Sequence, residues 1–518
     1  MLRGTGSNVY TASLARALAD LGHDVHLLCQ DREACSLPWI DAVGRWREGA
    51  LEVKPNATDG SPGAGSITAY LPEIGGLLPV YVEDRYAGFR AKTFPELSPA
   101  ELERYVEANV AGVREVVARV GGVQAALANH LIVGPAVLAR ADLRFAAKVH
   151  GSALSYTVRP HPRFLPLARE GIAAAEAVLV GSRHTAASLW EVLPELRLEA
   201  KTRLGPPGVD LQRFRPLQPG GEAAAPLLAA AERLEQGGGG GETAAGDSFD
   251  RDTGEAAAAL REFARGQGPR AVFVGKLIVS KGCDLLLAAW PLVLAREPAA
   301  RLLIAGFGAY RPSLERLWSA ICGGELETAR RIAAAGWELE GGDRRPLPIL
   351  SAFLAEPHAG WLRAATAAGT HESVSFSGRL EHGEVAELLR GSDAIVVPST
   401  FPEAFGMVAA EAAATGSLPI CADHSGLAEV AADLDACLPP AARGLTAYPL
   451  GPGAIEAIAE RLLRWFTLPE RDRSAAEAAL RETVARLWSW ERVALGVLAA
   501  SSGRLEELQV IGPQPPGG

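Results

Sequence analysis

Short apolar runs alternate along the chain with stretches in which leucine and alanine recur at helical spacing. Leu14, Leu18 and Leu21 fall at i, i+4 and i+7, Gly22 stops the helix they predict, and Val25 to Cys29 reads as the strand that follows. AAKVHGS (146–152) and AVLVGS (177–182) supply two more strands, each ending in a glycine turn. A second series opens with AVFVG at 271–275, passes through a helix that ends near Glu297 and Pro298, and returns as RLLIAG at 301–306. SVSF at 373, AIVVPS at 394 and LPIC at 418 continue it. Strands that are apolar on both faces and separated by helices belong to parallel sheets with helices on either side. The pattern predicts an α/β protein with two doubly wound, Rossmann-like domains facing across a cleft.

Between the two series the pattern fails. Residues 216–269 hold five consecutive glycines (Gly237 to Gly241), many alanines and acids and few aromatics, which reads as a flexible insertion or linker with short helices. This places an N-terminal domain at 1–215 and a C-terminal one at 270–470, the latter interrupted at about 323–371, where Trp337 and Trp361 point to partial order. Residues 471–518 are expected to form a helix returning toward the N-terminal domain, followed by a disordered tail.

Charge and cysteine content narrow the chemistry. Asp and Glu number 61 against 51 Lys and Arg, a formal charge of −10, which gives no global attraction for nucleic acid or anionic lipid. No apolar stretch is long enough for a membrane span. The six cysteines (Cys29, Cys35, Cys283, Cys322, Cys421, Cys437) form no C-x-x-C pair and follow no hydrophobic leader, so a reducing cytoplasm and no structural zinc are expected. The two Asp-x-Asp strings, at 250–252 and 433–435, read as chance matches.

Ligands of parallel α/β domains bind where strands end and helices begin. Four stretches qualify: GTGSN at 4–8, VHGS at 149–152, GKLIVSKG at 275–282 and FPEAFG at 401–406. Only six residues of the chain are lysines, and two of them, Lys276 and Lys281, share one loop between Gly275 and Gly282. Paired ammonium groups there suit a diphosphate, although a solvated basic loop has the same composition. His150 stands at a strand end, where an imidazole can hydrogen-bond a substrate hydroxyl. A helix starting near Phe405 would present the amides of Gly406 and Met407 to an anion, with Glu403 just outside and Glu411 two turns further in, close to the same face. Gly4 and Gly6 could bring a backbone loop close to a phosphate. Alone, each stretch is also compatible with ordinary turn chemistry.

Together they carry a resemblance. VHGSALSY, LGPPGVDLQRF, VGKLIVSKGCDLLL, LLIAGFG, FSGRLEHGEVAELL, DAIVVPS and FPEAFGMVAAE resemble, in this order, the motifs of family 4 of the glycosyltransferases, over roughly residues 4–430. The resemblance implies the GT-B fold, a nucleotide-diphosphate-sugar donor held by the C-terminal domain, an acceptor held by the N-terminal one, and transfer with retention of anomeric configuration without a metal or other cofactor. It places the family's two acids on Glu403 and Glu411, its phosphate-binding cations on Lys276 and Lys281, its active-site histidine on His150, and its N-terminal glycine loop on Gly4 and Gly6. Gly275, Arg379, Leu380, Phe405, Gly406 and Met407, within the same motifs, complete the expected donor-binding set.

Two departures stand out. The first cation of the family is usually arginine, whereas Lys276 offers a point charge without the bidentate fork. The chain also starts at the glycine loop, where the resembled fold has a strand before it. The expectation is that the first strand is missing, either because the true start lies upstream of Met1 or because the N-terminal sheet lacks a central member. Base, donor sugar, linkage and acceptor stay open, the acceptor being a sugar, a lipid-linked or a small-metabolite hydroxyl, with peripheral membrane contact left open and no nucleic acid partner. The alternatives on the same architecture are a phosphorylase or epimerase, and a non-catalytic sugar-nucleotide-binding protein.

Overall fold

Two compact units make up the computed structural model, which describes residues 2, 6–56, 65–81, 88–151, 153–218, 220–236 and 251–512. Gly4 and the five-glycine run lie outside the described residues. The first unit runs to Gly208 and takes up the chain again from Trp488, and the second covers most of what lies between.

In the N-terminal unit the helix Gly6–Asp20 precedes the strand Val25–Leu28. That strand pairs in parallel with Ile67–Leu71, which pairs in parallel with Ala42–Arg47, and the antiparallel strand Ala50–Pro55 closes this sheet. A second, wholly parallel sheet is built in sequence order from Leu127–Asn129, Ala146–Val149, Ala177–Val180 and Thr202–Leu204. Every residue of Ala146–Val149 and Ala177–Val180 is buried, as the two-sided apolar pattern requires. The helix Trp490–Ser501 packs on the same unit, its Val493, Ala494 and Val497 in one cluster with Tyr10 and Leu14.

The C-terminal unit holds one six-stranded parallel sheet. Its spatial order is Val374–Gly378, Arg301–Ala305, Arg270–Val274, Ala394–Val397, Leu418–Ala422, Ala447–Tyr448. Numbered along the chain this is 3-2-1-4-5-6, so the winding direction reverses between Arg270–Val274 and Ala394–Val397. At such a switch point the loops leaving the two central strands diverge and open a crevice at their carboxyl ends.

The structure revises several boundaries. Much of the stretch 216–269, expected as a flexible insertion or linker with short helices, is packed: the helices Ala224–Gln236 and Thr253–Arg265 lie on each other, and the second also packs on the strand Val374–Gly378. Leu227, Leu234, Leu260 and Phe263 are at most 3% exposed, and burying each such side chain contributes about 1.5–3 kcal/mol. The alanines that diluted the apolar signal let the two helices approach closely. Residues 209–215, assigned to the N-terminal domain, belong to the C-terminal unit. The stretch 323–371 is likewise helical, with Leu326–Ala335, Pro348–Ala355 and Ala359–Ala365, and Trp361 is fully buried, donating Nε1–H to the carbonyl of Ala288 at 2.7 Å. The segment 471–518 divides: Glu470–Leu487 packs on the helix Met407–Thr415 within the C-terminal unit, and only the chain from Trp488 joins the N-terminal unit. The expected disordered tail at 513–518 lies outside the described residues. No helix among them is long and apolar enough to cross a membrane.

Candidate functional site

The loop after Arg270–Val274 and the loop after Ala394–Val397 meet at the switch point of the C-terminal sheet. Gly282 makes the approach possible. It sits at φ +66°, in the left-handed region, and a Cβ there would lie 1.9 Å from the carbonyl oxygen of Pro398. The two loops are then stitched together by Thr400 N–H donating to the Ser280 carbonyl at 2.8 Å.

This brings Lys281 onto Glu403, 122 residues away in sequence. Lys281 Nζ donates to Glu403 Oε1 in an ion pair, and Ser399 Oγ–H donates to the same oxygen at 2.8 Å. Burial by itself raises the Glu403 carboxyl, but the charge of Lys281 and the hydrogen bonds from Lys281 and Ser399 outweigh it, so the group lies below its ordinary value. The backbone is held as well: Glu403 N–H donates to Ser425 Oγ at 2.9 Å, Ser425 Oγ hydrogen-bonds His424 Nδ1 at 3.1 Å, and His424 Nε2–H donates to the Ser399 carbonyl at 2.6 Å. Sequence reasoning identified Glu403 and missed Ser399, His424 and Ser425, because nothing local to those residues signals the loop they close.

Lys276 takes a different environment from Lys281. Its ammonium lies 5.9 Å from the ring centre of Phe307, at the end of the neighbouring strand Arg301–Ala305. The helix expected from Phe405 starts at Met407, with Gly406 as its N-cap at φ +116°, so its first amides are those of Met407 and Val408. Phe405 is buried beneath this turn. Gly406 is required for a second reason, since a Cβ would meet Leu427 Cδ2 at 2.5 Å.

Glu411 follows in the second turn of that helix, only 6% exposed. Its Oε1 and His382 Nε2 are 2.7 Å apart, and Arg213 Nη1 lies 3.0 Å from His382 Nδ1. A guanidinium can only donate, so Nδ1 accepts and the ring hydrogen sits on Nε2, directed at Glu411. Arg379 pairs with Glu381 at 2.8 Å, and Leu380 is half-buried beside it.

In the N-terminal unit, His150 ends the strand Ala146–Val149 as expected, and its neighbours come from elsewhere in that unit. Asn129 Nδ2–H donates to Thr11 Oγ1 at 3.3 Å, which turns Oδ1 toward His150 Nε2 at 3.1 Å and makes Nε2 the protonated nitrogen. Nδ1 is left as an acceptor. The ring of His130 lies 4.9 Å from that of His150 and 4.4 Å from Tyr81, on a backbone at φ +71° that a residue with a side chain seldom adopts. Burial, His130 and Lys148 together hold His150 well below its ordinary value. Lys148 is itself buried with no carboxylate partner among the described residues, its ammonium donating to the Gly205 carbonyl, and burial brings it down to about 7. The cluster can therefore present a neutral imidazole near neutral pH. Gly6, the first residue of its helix, is exposed.

Comparison with known proteins adds a family. Residues 362–482, which hold the FSGRL, Glu403 and Glu411 segments, match the family described as Glycosyl transferases group 1. The chain is 27% identical over 359 residues to a D-inositol 3-phosphate glycosyltransferase of Frankia alni, covering 68% of this chain and 65% of that one. It is 26% identical over 222 residues to a GDP-mannose-dependent monoacylated alpha-(1-6)-phosphatidylinositol monomannoside mannosyltransferase of Corynebacterium glutamicum, covering 42% of each. The chain thus spans less than two thirds of either relative's own length. Sucrose-phosphate synthase from Thermosynechococcus elongatus superposes with a TM-score of 0.48 at 17% identity, covering 94% of this chain and 98% of that one.

Proposed function

We propose that this chain, whose residues 362–482 belong to the group 1 glycosyl transferases, moves a sugar from a nucleotide-diphosphate-sugar donor to an acceptor hydroxyl with retention of anomeric configuration. The observation that carries the reading is the meeting of Lys281 and Glu403 at the switch point of the C-terminal sheet, beside the amides that open the Met407 helix. A cation, free amides and an acid at one crevice match the parts of a sugar nucleotide: Lys276, Lys281 and the amides of Met407 and Val408 for the diphosphate, and Glu403 for hydroxyls of the sugar. Glu411 is assigned to the ribose hydroxyls. Its buried carboxylate keeps Oε2 for that purpose while His382 holds Oε1.

In the reaction the acceptor oxygen bonds to the anomeric carbon as the bond from that carbon to the phosphate oxygen breaks, on the same face of the sugar. The acceptor proton passes to a phosphate oxygen of the departing nucleoside diphosphate. The protein's part is positioning and charge neutralisation. His150, neutral with Nδ1 as acceptor, is assigned to a hydroxyl of the reacting sugar. No metal is assigned a part.

Incubating the protein with a panel of nucleotide sugars and simple acceptors, with detection of released nucleoside diphosphate and NMR of the glycoside, tests the proposal. Transfer with retention that survives EDTA and disappears in the Lys276→Ala/Lys281→Ala variant is expected. Binding of a nucleotide sugar with neither transfer nor hydrolysis across the panel would instead make the chain a sugar-nucleotide-binding protein, and inversion would overturn the stereochemical assignment.

A further inference from the structure

A cavity of about 440 Å³ in the C-terminal unit is lined by five arginines, Arg213, Arg215, Arg233, Arg251 and Arg390, and by none of Lys276, Lys281 or Glu403. It lies against the helices Ala224–Gln236 and His382–Arg390, the first of which sequence reasoning had assigned to a linker. Three carboxylates also face it, and all three are committed. Glu384 accepts from Arg251 at 2.6 Å and from the backbone N–H of Glu381 at 2.7 Å, closing the start of its helix. Glu387 lies 3.0 Å from Arg390 and 3.7 Å from Arg233. Glu381 takes Arg379. Arg215 pairs with no carboxylate among the described residues, and Arg213 has only Asp210, at 3.9 Å, besides His382.

Guanidinium groups stay charged at every accessible pH. Among the described residues that line the cavity five guanidiniums meet three carboxylates, and Asp210 stands 3.9 Å from Arg213, so positive charge is in excess around one concavity. Arg215, with no carboxylate among the described residues, and Arg213, whose Asp210 is 3.9 Å away, are the groups an entering anion can pair with. A phosphate monoester carries about −1.5 to −2 charges and offers three acceptor oxygens, which planar guanidiniums take in pairs. The volume lies within the range of small-molecule sites.

We propose that this arginine-lined cavity is a binding site for a small phosphorylated anion, either free phosphate or a sugar phosphate, distinct from the donor crevice. Occupancy reaches Glu411 through one hydrogen-bonded chain. Arg213 lines the cavity and donates to His382 Nδ1, and His382 Nε2–H donates to Glu411. An anion that takes Arg213 removes the donor that fixes the His382 ring and so alters the hold on Glu411. This second consequence, a change in nucleotide affinity, rests on the proposed ribose role of Glu411, whereas the anion site itself does not.

Calorimetry on the full chain at constant ionic strength tests it, with inorganic phosphate and glucose 6-phosphate as probes, each with and without saturating UDP. The variant is Arg215→Gln/Arg233→Gln. Both side chains are exposed, Arg233 to 56%, so the fold is spared. One anion per chain is expected to bind in the presence of UDP, and to bind at least about tenfold more weakly to the variant, the loss that follows from removing charged hydrogen bonds. Equal affinity for the two probes identifies free phosphate as sufficient, and tighter glucose 6-phosphate identifies a sugar phosphate. Absence of binding by both probes, unchanged binding by the variant, or loss of binding when UDP is present overturns the site. Phosphate binding by a chain that takes no nucleotide would leave the site standing and sink the donor reading instead.

Discussion

His382 donates Nε2–H to Glu411 Oε1 at 2.7 Å, so one oxygen of the second acid of the pair at 403 and 411 is already satisfied. Replacing Glu411 by alanine removes the proposed acceptor for the ribose diol and is expected to weaken nucleoside diphosphate binding about tenfold or more by calorimetry. Affinity equal to the parent's would remove Glu411 from the donor site. His382→Ala, in contrast, leaves a buried carboxylate oxygen short of a donor, and its signature is a stability loss of about 1–3 kcal/mol in denaturant unfolding.

The Lys281–Glu403 pair predicts a reversal in pH dependence. In the parent the Glu403 carboxyl lies below its ordinary value because Lys281 and Ser399 outweigh burial. Such a group contributes stability above its unfolded value and loses it as pH falls through the folded one. In Lys281→Met burial acts with less opposition and raises the carboxyl, so this contribution grows as pH falls. Melting curves from pH 4 to 7 for the parent, Lys281→Met and Lys281→Met/Glu403→Gln should slope in opposite senses for the first two relative to the third. Parallel slopes would mean that the pair contributes little in solution.

Lys148 gives a second pH test, in the N-terminal unit. Its folded value is brought down to about 7 by burial, while the unfolded chain has an ordinary lysine. Between those two values the unfolded state binds the extra proton, so stability rises with pH, by at most about 1.4 kcal/mol per pH unit from this one group. Lys148→Met should be the more stable protein at pH 6 and lose that advantage toward pH 10. A difference between the two that does not change with pH would show that the ammonium is not buried as charge.

Gly282→Ala tests the closure of the two loops. The substitution forces a side chain into the left-handed region and against the Pro398 carbonyl. Strain of this kind costs about 1–3 kcal/mol before the contact is counted. We expect a lower melting temperature together with loss of nucleotide binding, since the Pro398–Thr400 strand end must move away from Ser280. A variant that melts and binds like the parent would show that the loops do not need the close approach.

How much of this was legible in the chain follows from the range of the forces involved. The strands of the C-terminal sheet could be read from runs such as AVFVG and AIVVPS, because burial on both faces leaves a continuous apolar signal within one element. Glu403, the two lysines and His150 stood out for the same local reason, each lying where a strand gives way to a glycine turn, and Glu411 stood out by its spacing from Glu403 into the helix that follows. The family resemblance extended that reading across several such turns at once.

Partnership was not legible. That Lys281 lies on Glu403, that His382 takes Glu411, and that Asn129 sets the tautomer of His150 depend on pairings 122, 29 and 21 residues apart in sequence. The packing of the short helices expected within 216–269 was hidden for a related reason: alanine carries little hydrophobic signal per residue, and their stability comes from packing on each other and, for the second, on the Val374 strand. By itself the sequence determined which residues have suitable chemistry and which segments become strands, because spacing and side-chain type act within a few residues. Only the tertiary structure decided which charges neutralise each other and which arginines gather around one cavity, because Coulomb and hydrogen-bond energies depend on distance in space.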